Sequence, residues 1–362
     1  MARPIALALQ GGGAHGAFSW GVLEGLLAET AKGTIELSAI SGASGGAMNA
    51  TALAYGMHQG LEIPGPASTR AKRLAEAAHA KVEHLWSTIA QAAFWGGNPF
   101  VATIGLSPGW NIDDSPAARF ADLAAATLSP PDVGIGNYLS SVTREVFPEL
   151  PAILARPEKA IPTVMVAATD VELCRRQLFI DGAISPEVLK ASACVPAYQA
   201  VKVGDSHYWD GGYMGNPPLT PLVEHMRGGD CHDLLLVTLS PLEREGVPRT
   251  QRQIMDRLSE ITFSTGLVHE VNTIETINHL IDAGYVDPAS GLKRINLHRI
   301  QADRTMADLG VYSKDAPAWD FLVHLRDLGR QTFEAMWPEI AAALGTRSSW
   351  DTRVICDHVL AR

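Results

Sequence analysis

Cysteine is scarce in this 362-residue chain: only Cys174, Cys194, Cys231 and Cys356 occur. Their wide spacing fits neither a disulfide framework nor a metal site, so reduced thiols are expected, and no metal or other cofactor. Basic charge is short as well. Against 39 Asp and Glu stand 29 Lys and Arg, a formal net charge of −10, which argues against nucleic acid as a partner and against membrane attachment by charge alone. Contact with a lipid surface through apolar side chains stays open. Long spanning runs are missing too. The stretch Leu85 to Ile112 holds no Asp, Glu, Lys or Arg, but Pro99, Pro108 and four interior glycines break it, so it cannot form a transmembrane helix. Repeats and low-complexity tracts are absent. The first apolar run begins about five residues from the N-terminus, which leaves no room for a signal peptide, and the cytoplasm is the expected location. The hydrophobic content of 46% is enough for a full core.

What the chain does have is a serine in a glycine turn. Ser44 lies in Gly42-Ala43-Ser44-Gly45-Gly46, where flanking glycines let a strand turn sharply into a helix and leave the hydroxyl exposed beneath the helix N-terminus. The bland alternative is a flexible Gly/Ser turn. Upstream, Ile5-Ala6-Leu7-Ala8-Leu9 reads as a strand, Gln10 to Gly16 as a glycine loop, and Ala17 to Leu27 as a helix with Phe18, Val22, Leu23, Leu26 and Leu27 at helical spacing. Gly11, Gly13 and Gly16 match a dinucleotide fingerprint, but that needs an acid ending the next strand. The next strand, Glu36 to Ser41, has its only acid at the start. The loop makes better sense as backbone N–H groups facing Ser44, an oxyanion hole.

A serine nucleophile needs a base. His207 and His232 abut polar turns, and His225 and His269 fall within expected helices. None has a convincing setting. Asp210 is the stronger candidate, in Tyr208-Trp209-Asp210-Gly211-Gly212-Tyr213-Met214-Gly215-Asn216-Pro217-Pro218; the competing reading is a plain Asp-Gly turn.

The three blocks Gly11-Gly12-Gly13-Ala14-His15-Gly16, Gly42 to Gly46 and Asp210-Gly211-Gly212, in that order, resemble the signatures of the patatin-like phospholipase family. Ala191-Ser192-Ala193-Cys194-Val195-Pro196 and Asn216-Pro217 add to the resemblance, which spans about residues 4 to 240. It implies an α/β fold, a three-layer sandwich with a mostly parallel central sheet, carrying C-terminal helices. The implied activity is acyl-ester hydrolysis by a Ser/Asp dyad: Ser44 the nucleophile, Asp210 its base, Gly11, Gly12 and Gly13 the oxyanion hole, and Gly16, Gly42, Gly46, Gly211 and Gly212 the motif glycines. The implied partner is a lipid or other acyl ester, with short-chain esters, storage polyesters or a silent scaffold as alternatives. His15 departs from the pattern, since the family usually has Arg or Lys there. An aspartate, with a reference pKa of ~3.9, is a weak base for a hydroxyl, so oxyanion donors, each worth about 100- to 1000-fold in rate, carry much of the catalysis.

Residues 1–245 are expected as the catalytic domain and 246–362 as a mainly helical region packed on it. Within them a helix is expected over 70–93, a loop at Pro130-Pro131 and Gly134 to Gly136, a strand Ile161 to Thr169 with Arg175 to Phe179 as hairpin partner, and a parallel strand Leu234 to Leu239. Long helices follow over 249–284 and 316–344, with a strand Ile295 to Ile300 between them. Arg249, Arg252 and Arg257 interleave with Asp256 and Glu260 as a solvated face. Trp319, Phe321, Leu325, Phe333, Trp337 and Ile340 form an apolar stripe read as core, though oligomer formation through it stays open. The uncharged segment from Leu85 to Ile112 is either a buried loop or a lid and acyl-chain wall over Ser44.

Overall fold

In the computed structural model of the chain, residues 2–127, 136–196, 198–244 and 246–356 are described. Arg3–Leu9 forms strand β1, and every side chain from Ile5 to Leu9 is fully buried. A strand sealed on both faces belongs inside a parallel sheet. Helix α1 (Gly16–Lys32), strand β2 (Ile35–Gly42) and helix α2 (Gly45–Glu62) follow directly. A helical stretch comes next: α3 (Arg70–Trp95), α4 (Pro99–Ile104), α5 (Pro116–Thr127), α6 (Gly136–Val146) and α7 (Leu150–Leu154). The expected loop at Pro130-Pro131 and Gly134 lies outside the described residues; its last glycine, Gly136, opens α6. Strands β3 (Thr163–Asp170) and β4 (Arg175–Ile180) pair as the expected antiparallel hairpin. Then come α8 (Pro186–Ser192), β5 (Val201–Val203), β6 (Ser206–Asp210), α9 (Thr220–Met226) and β7 (Asp233–Val237). The last third supplies α10 (Gln251–Asp282), β8 (Asn296–Ile300), α11 (Asp303–Ala307) and α12 (Trp319–Ala343). Thr250 and Gln253 form a reciprocal capping box that fixes the start of α10.

The strands make one sheet in the order β5, β6, β3, β2, β1, β7, β8, with β4 also paired to β3. Pairings from β3 through β2, β1 and β7 to β8 are parallel, and β4, β6 and β5 are added antiparallel. Alternation along β1 divides the interior in two. Ile5, Leu7 and Leu9 face a large core with Phe18, Trp20 and Leu26 of α1 and Phe321, Leu325 and Phe333 of α12. Ala6 and Ala8 face a second core with Leu222 of α9 and Leu267, Val271 and Ile274 of α10. The sheet is thus the middle of three layers, an α/β sandwich of mostly parallel strands flanked by helices.

At the N-terminal end of β7 the buried Asp233 accepts hydrogen bonds from His298 Nε2 at 3.1 Å, Asn296 Nδ2 at 3.0 Å and the Gly345 N–H at 2.8 Å, and Ser349 Oγ lies 2.8 Å from His298 Nδ1. This network ties the chain after α12 to the sheet end remote from Ser44. Among the described residues no helix is long and apolar enough to cross a membrane.

Candidate active site

Strand register assembles the site. Leu9 pairs with Gly42, so the glycine loop after β1 and the serine turn after β2 leave the sheet side by side. Gly42 pairs with Val166 of β3, and Ala168, two residues further, pairs with Asp210 of β6. Ser44, two residues beyond Gly42, therefore lies level with Asp210.

The turn itself is strained. Ser44 has φ 52° and ψ −128°, a conformation that side chains rarely adopt, and it caps α2. Only glycine fits around it: a Cβ at Gly46 would sit 2.1 Å from the Leu9 carbonyl oxygen, and one at Gly42 2.5 Å from the Gly46 carbonyl carbon. The Ser44 N–H donates to the Ser192 carbonyl at 3.1 Å and to its hydroxyl at 3.0 Å, and that hydroxyl donates to Ala167 O at 2.7 Å. Ser192, at the end of α8, thereby locks the elbow against β3.

Asp210 ends β6 and is 2% exposed. Its backbone is held by N–H donation to Cys194 O at 2.7 Å and by the Thr169 hydroxyl on its carbonyl. Burial pushes its pKa up to about 6, against the opposing effects of the Gly212 N–H bond at 2.7 Å, the Ser44 side chain and Lys314. Gly211 and Gly212 form the short turn after it. Tyr213 lies 4.7 Å from Phe263, ring to ring, and its hydroxyl is pushed up to about 12 by burial and by Asp210. Trp209 points elsewhere, donating to Tyr198 O. Cys194 is raised to about 11 by burial and by Asp210, so it is no competing nucleophile.

The glycine loop is cinched from two sides. Asn216 Oδ1 accepts the Gly11 N–H at 2.7 Å and its Nδ2 donates to Gly11 O. Gln10 Oε1 accepts the N–H groups of Leu239 and Ser240. Gly12 and Gly13 keep N–H groups with no partner among the described residues. Gly16 opens α1, and its carbonyl accepts from Asn49 Nδ2, whose Oδ1 in turn accepts the Trp86 indole N–H.

Against known families, the model for patatin-like phospholipases matches residues 7–223. The chain belongs to that family. Members are lipid acyl hydrolases acting on lipid substrates, and that general activity comes with membership. No curated protein matches. Among solved structures, VipD from Legionella pneumophila is similar over 91% of this chain and 67% of its own, at 15% identity and a TM-score of 0.32, too distant a likeness to build on.

In this patatin-like chain Ser44, Asp210 and Gly11 to Gly13 all line one cavity of about 380 Å³. Met48, Trp86, Ile89, Leu139, Val195 and Phe263 give it apolar walls, and Lys190, Lys314 and Asp315 add charge. No described histidine is among the lining residues. His207 pairs with Glu172, His232 faces Arg294 O, and His225 and His269 sit on α9 and α10. His15 is buried behind the loop, 2.7 Å from Ser313 Oγ, with its pKa lowered by burial and by Lys314. Of the uncharged segment 85–112, Trp86 and Ile89 reach the cavity, Phe100 stacks on Tyr312 at 5.3 Å, and Phe94 and Trp95 stand 63% and 83% exposed. Lys314, Asp315 and Phe263 come from beyond the matched residues. No motif marks them; only packing of the last third on the glycine loop brings them in.

Proposed function

We propose that this chain is a serine acyl-ester hydrolase of phospholipase A or lysophospholipase type, working through a Ser44/Asp210 dyad and an acyl-enzyme. One observation carries the reading: a strained serine and a buried carboxyl of raised pKa face each other in an apolar cavity beside unpartnered backbone N–H groups. Asp210 takes the Ser44 proton as Oγ attacks the ester carbonyl carbon, and the N–H groups of Gly12 and Gly13 hold the resulting oxyanion. Gly11, whose N–H is committed to Asn216, keeps the loop in shape. Collapse of the intermediate breaks the ester bond, and the leaving alkoxide takes the proton from Asp210. Water then gives a proton to Asp210 and attacks the acyl carbon; the proton returns to Ser44 as it leaves. A pKa near 6 makes Asp210 a better base than an ordinary aspartate while leaving it ionised at neutral pH. Residues 246–362 are read as part of the same catalytic unit, because β8 joins the sheet and Phe263 lines the cavity. The working location is the cytoplasm, with substrate met at a lipid surface.

The test is fluorophosphonate labelling with the modified residue mapped, followed by a substrate screen over phospholipids, lysophospholipids, glycerides and short p-nitrophenyl esters. Adduct on Ser44 and release of fatty acid from a phospholipid or lysophospholipid are expected. Turnover of short esters alone would favour the non-phospholipid esterase, and no labelling with no turnover would leave a silent scaffold.

A further inference from the structure

We propose that Lys314 is a further catalytic group of the cavity, its ammonium stabilising the negative charge that develops on the substrate carbonyl oxygen beside the glycine loop. The inference rests on the hydrolase reading above and extends it to a residue outside the stretch that matches the family.

The placement is built rather than incidental. Lys314 lines the same cavity as Gly12, Gly13, Ser44 and Asp210. Its backbone lies directly on the loop: Gly13 has φ +56°, and a Cβ there would meet the Lys314 carbonyl oxygen at 2.3 Å. One residue earlier, Ser313 Oγ is 2.7 Å from His15 Nε2. From the other side the Asp113 carboxylate accepts the N–H groups of Val311 and Tyr312, and Asn98 Nδ2 donates to Asp315 O at 2.8 Å. The lysine stem therefore starts from a fixed point against the donor side of the site.

The charge is also unspent. Among the described residues the half-buried Lys314 ammonium makes no ion pair and no hydrogen bond. Burial lowers its pKa; Glu260, Asp315 and Asp256 support its charge from a distance, and Arg244 opposes it. A half-buried cation with no ion-pair partner contributes little to the fold, and such groups persist where a reaction uses them. Its field reaches Asp210 and His15, lowering the pKa of each. With His15 held toward its neutral form, Lys314, whose backbone packs on the loop, supplies positive charge there. No proton or bond changes hands there: the ammonium attracts the oxyanion while it exists and releases it on collapse.

The experiment compares full-length wild type, Lys314→Met and Lys314→Arg on a neutral ester, p-nitrophenyl butyrate, so that recognition of an anionic headgroup plays no part. Lys314→Met should lose on the order of 100-fold in kcat with KM within about threefold, the scale of removing one oxyanion donor. Lys314→Arg should recover much of that loss. The melting temperature of Lys314→Met should equal or exceed that of wild type, because an unpaired charge has been removed. The acid limb of its kcat/KM profile should move to higher pH, since Asp210 loses a cation while His15, Glu260, Asp256, Asp315 and Arg244 stay in place. Unchanged kcat, a loss confined to KM, equal losses in the Met and Arg variants, or a destabilised Met variant would each overturn the assignment. Wild type inactive on every ester would overturn the hydrolase reading itself, which an active wild type with an indifferent Lys314→Met variant would not.

Discussion

Replacing Asp210 by Asn should destroy activity and stabilise the protein at the same time. Burial raises the folded-state pKa from 3.8 to about 6, so the fold favours the protonated acid, and keeping it ionised at pH 7 costs about 3 kcal/mol at ~1.36 kcal/mol per pKa unit. The sign follows: the stability that neutral Asp210 contributes is fully present below the unfolded value and is lost as pH rises through about 6. Asparagine is neutral at every pH and its Oδ1 still accepts the Gly212 N–H, with about 1 kcal/mol lost because the bond is no longer charge-assisted. A net gain of about 2 kcal/mol at pH 7, or roughly 2–3 °C in Tm for a chain of this size, is expected. The advantage over wild type should shrink below about 1 kcal/mol at pH 4. Thermal unfolding of both proteins across that range measures it. Over the same range kcat/KM of wild type should rise with pH through an inflection near 6, and the variant should be slower by about 10²–10⁴-fold, the usual contribution of a general base. A variant that is less stable at pH 7, or one that keeps its turnover, would refute the account of Asp210 as a buried base.

Three further outcomes can be checked directly. Ser44→Ala should abolish ester hydrolysis and fluorophosphonate labelling with the fold intact, while His207→Ala, His225→Ala and His269→Ala each keep most activity; a dead histidine variant would mean a triad. Phe94→Ser combined with Trp95→Ser, two exposed positions outside the cavity, should leave a soluble p-nitrophenyl ester unaffected and slow hydrolysis of vesicle phospholipid several-fold, and equal slowing on both would deny them a role at the lipid surface. Asp233→Asn should cost about 2–4 kcal/mol at pH 7 by unbalancing a buried network. Burial opposes ionisation of Asp233, but hydrogen bonds from His298, Gly345 and Asn296 hold its pKa below the ordinary value, so its contribution is present above that value and is lost as pH falls through the lowered one, which an acid-unfolding titration of wild type and variant would display.

The parts of this protein that are legible in its sequence are those set by local rules. Ile5 to Leu9, buried on both faces, announces a parallel strand, and the 3.6-residue spacing in 70–93 and 316–344 gives α3 and α12 to within a few residues. Gly42 to Gly46 and Asp210 to Gly212 form the short, self-contained turns that their glycines announce. What depends on distant packing is not legible. Nothing near Gly11 says that Asn216 takes its N–H, leaving Gly12 and Gly13 as the open donors, and nothing near Lys314 says that it meets Gly13. The segment 85–112 is uniform in composition yet divided in space: one helix face walls the cavity, while Phe94 and Trp95, beyond it, face solvent.

The docking of residues 310–315 on the glycine loop bears on biosynthesis. A ribosome releases the elbow, the loop and Asp210 long before it releases Lys314, so the nascent chain carries Ser44 and Asp210, the proposed dyad, while one wall of the cavity is still untranslated. On the reading proposed above, a chain assembled in that order completes its cavity only once its last third has packed on the glycine loop.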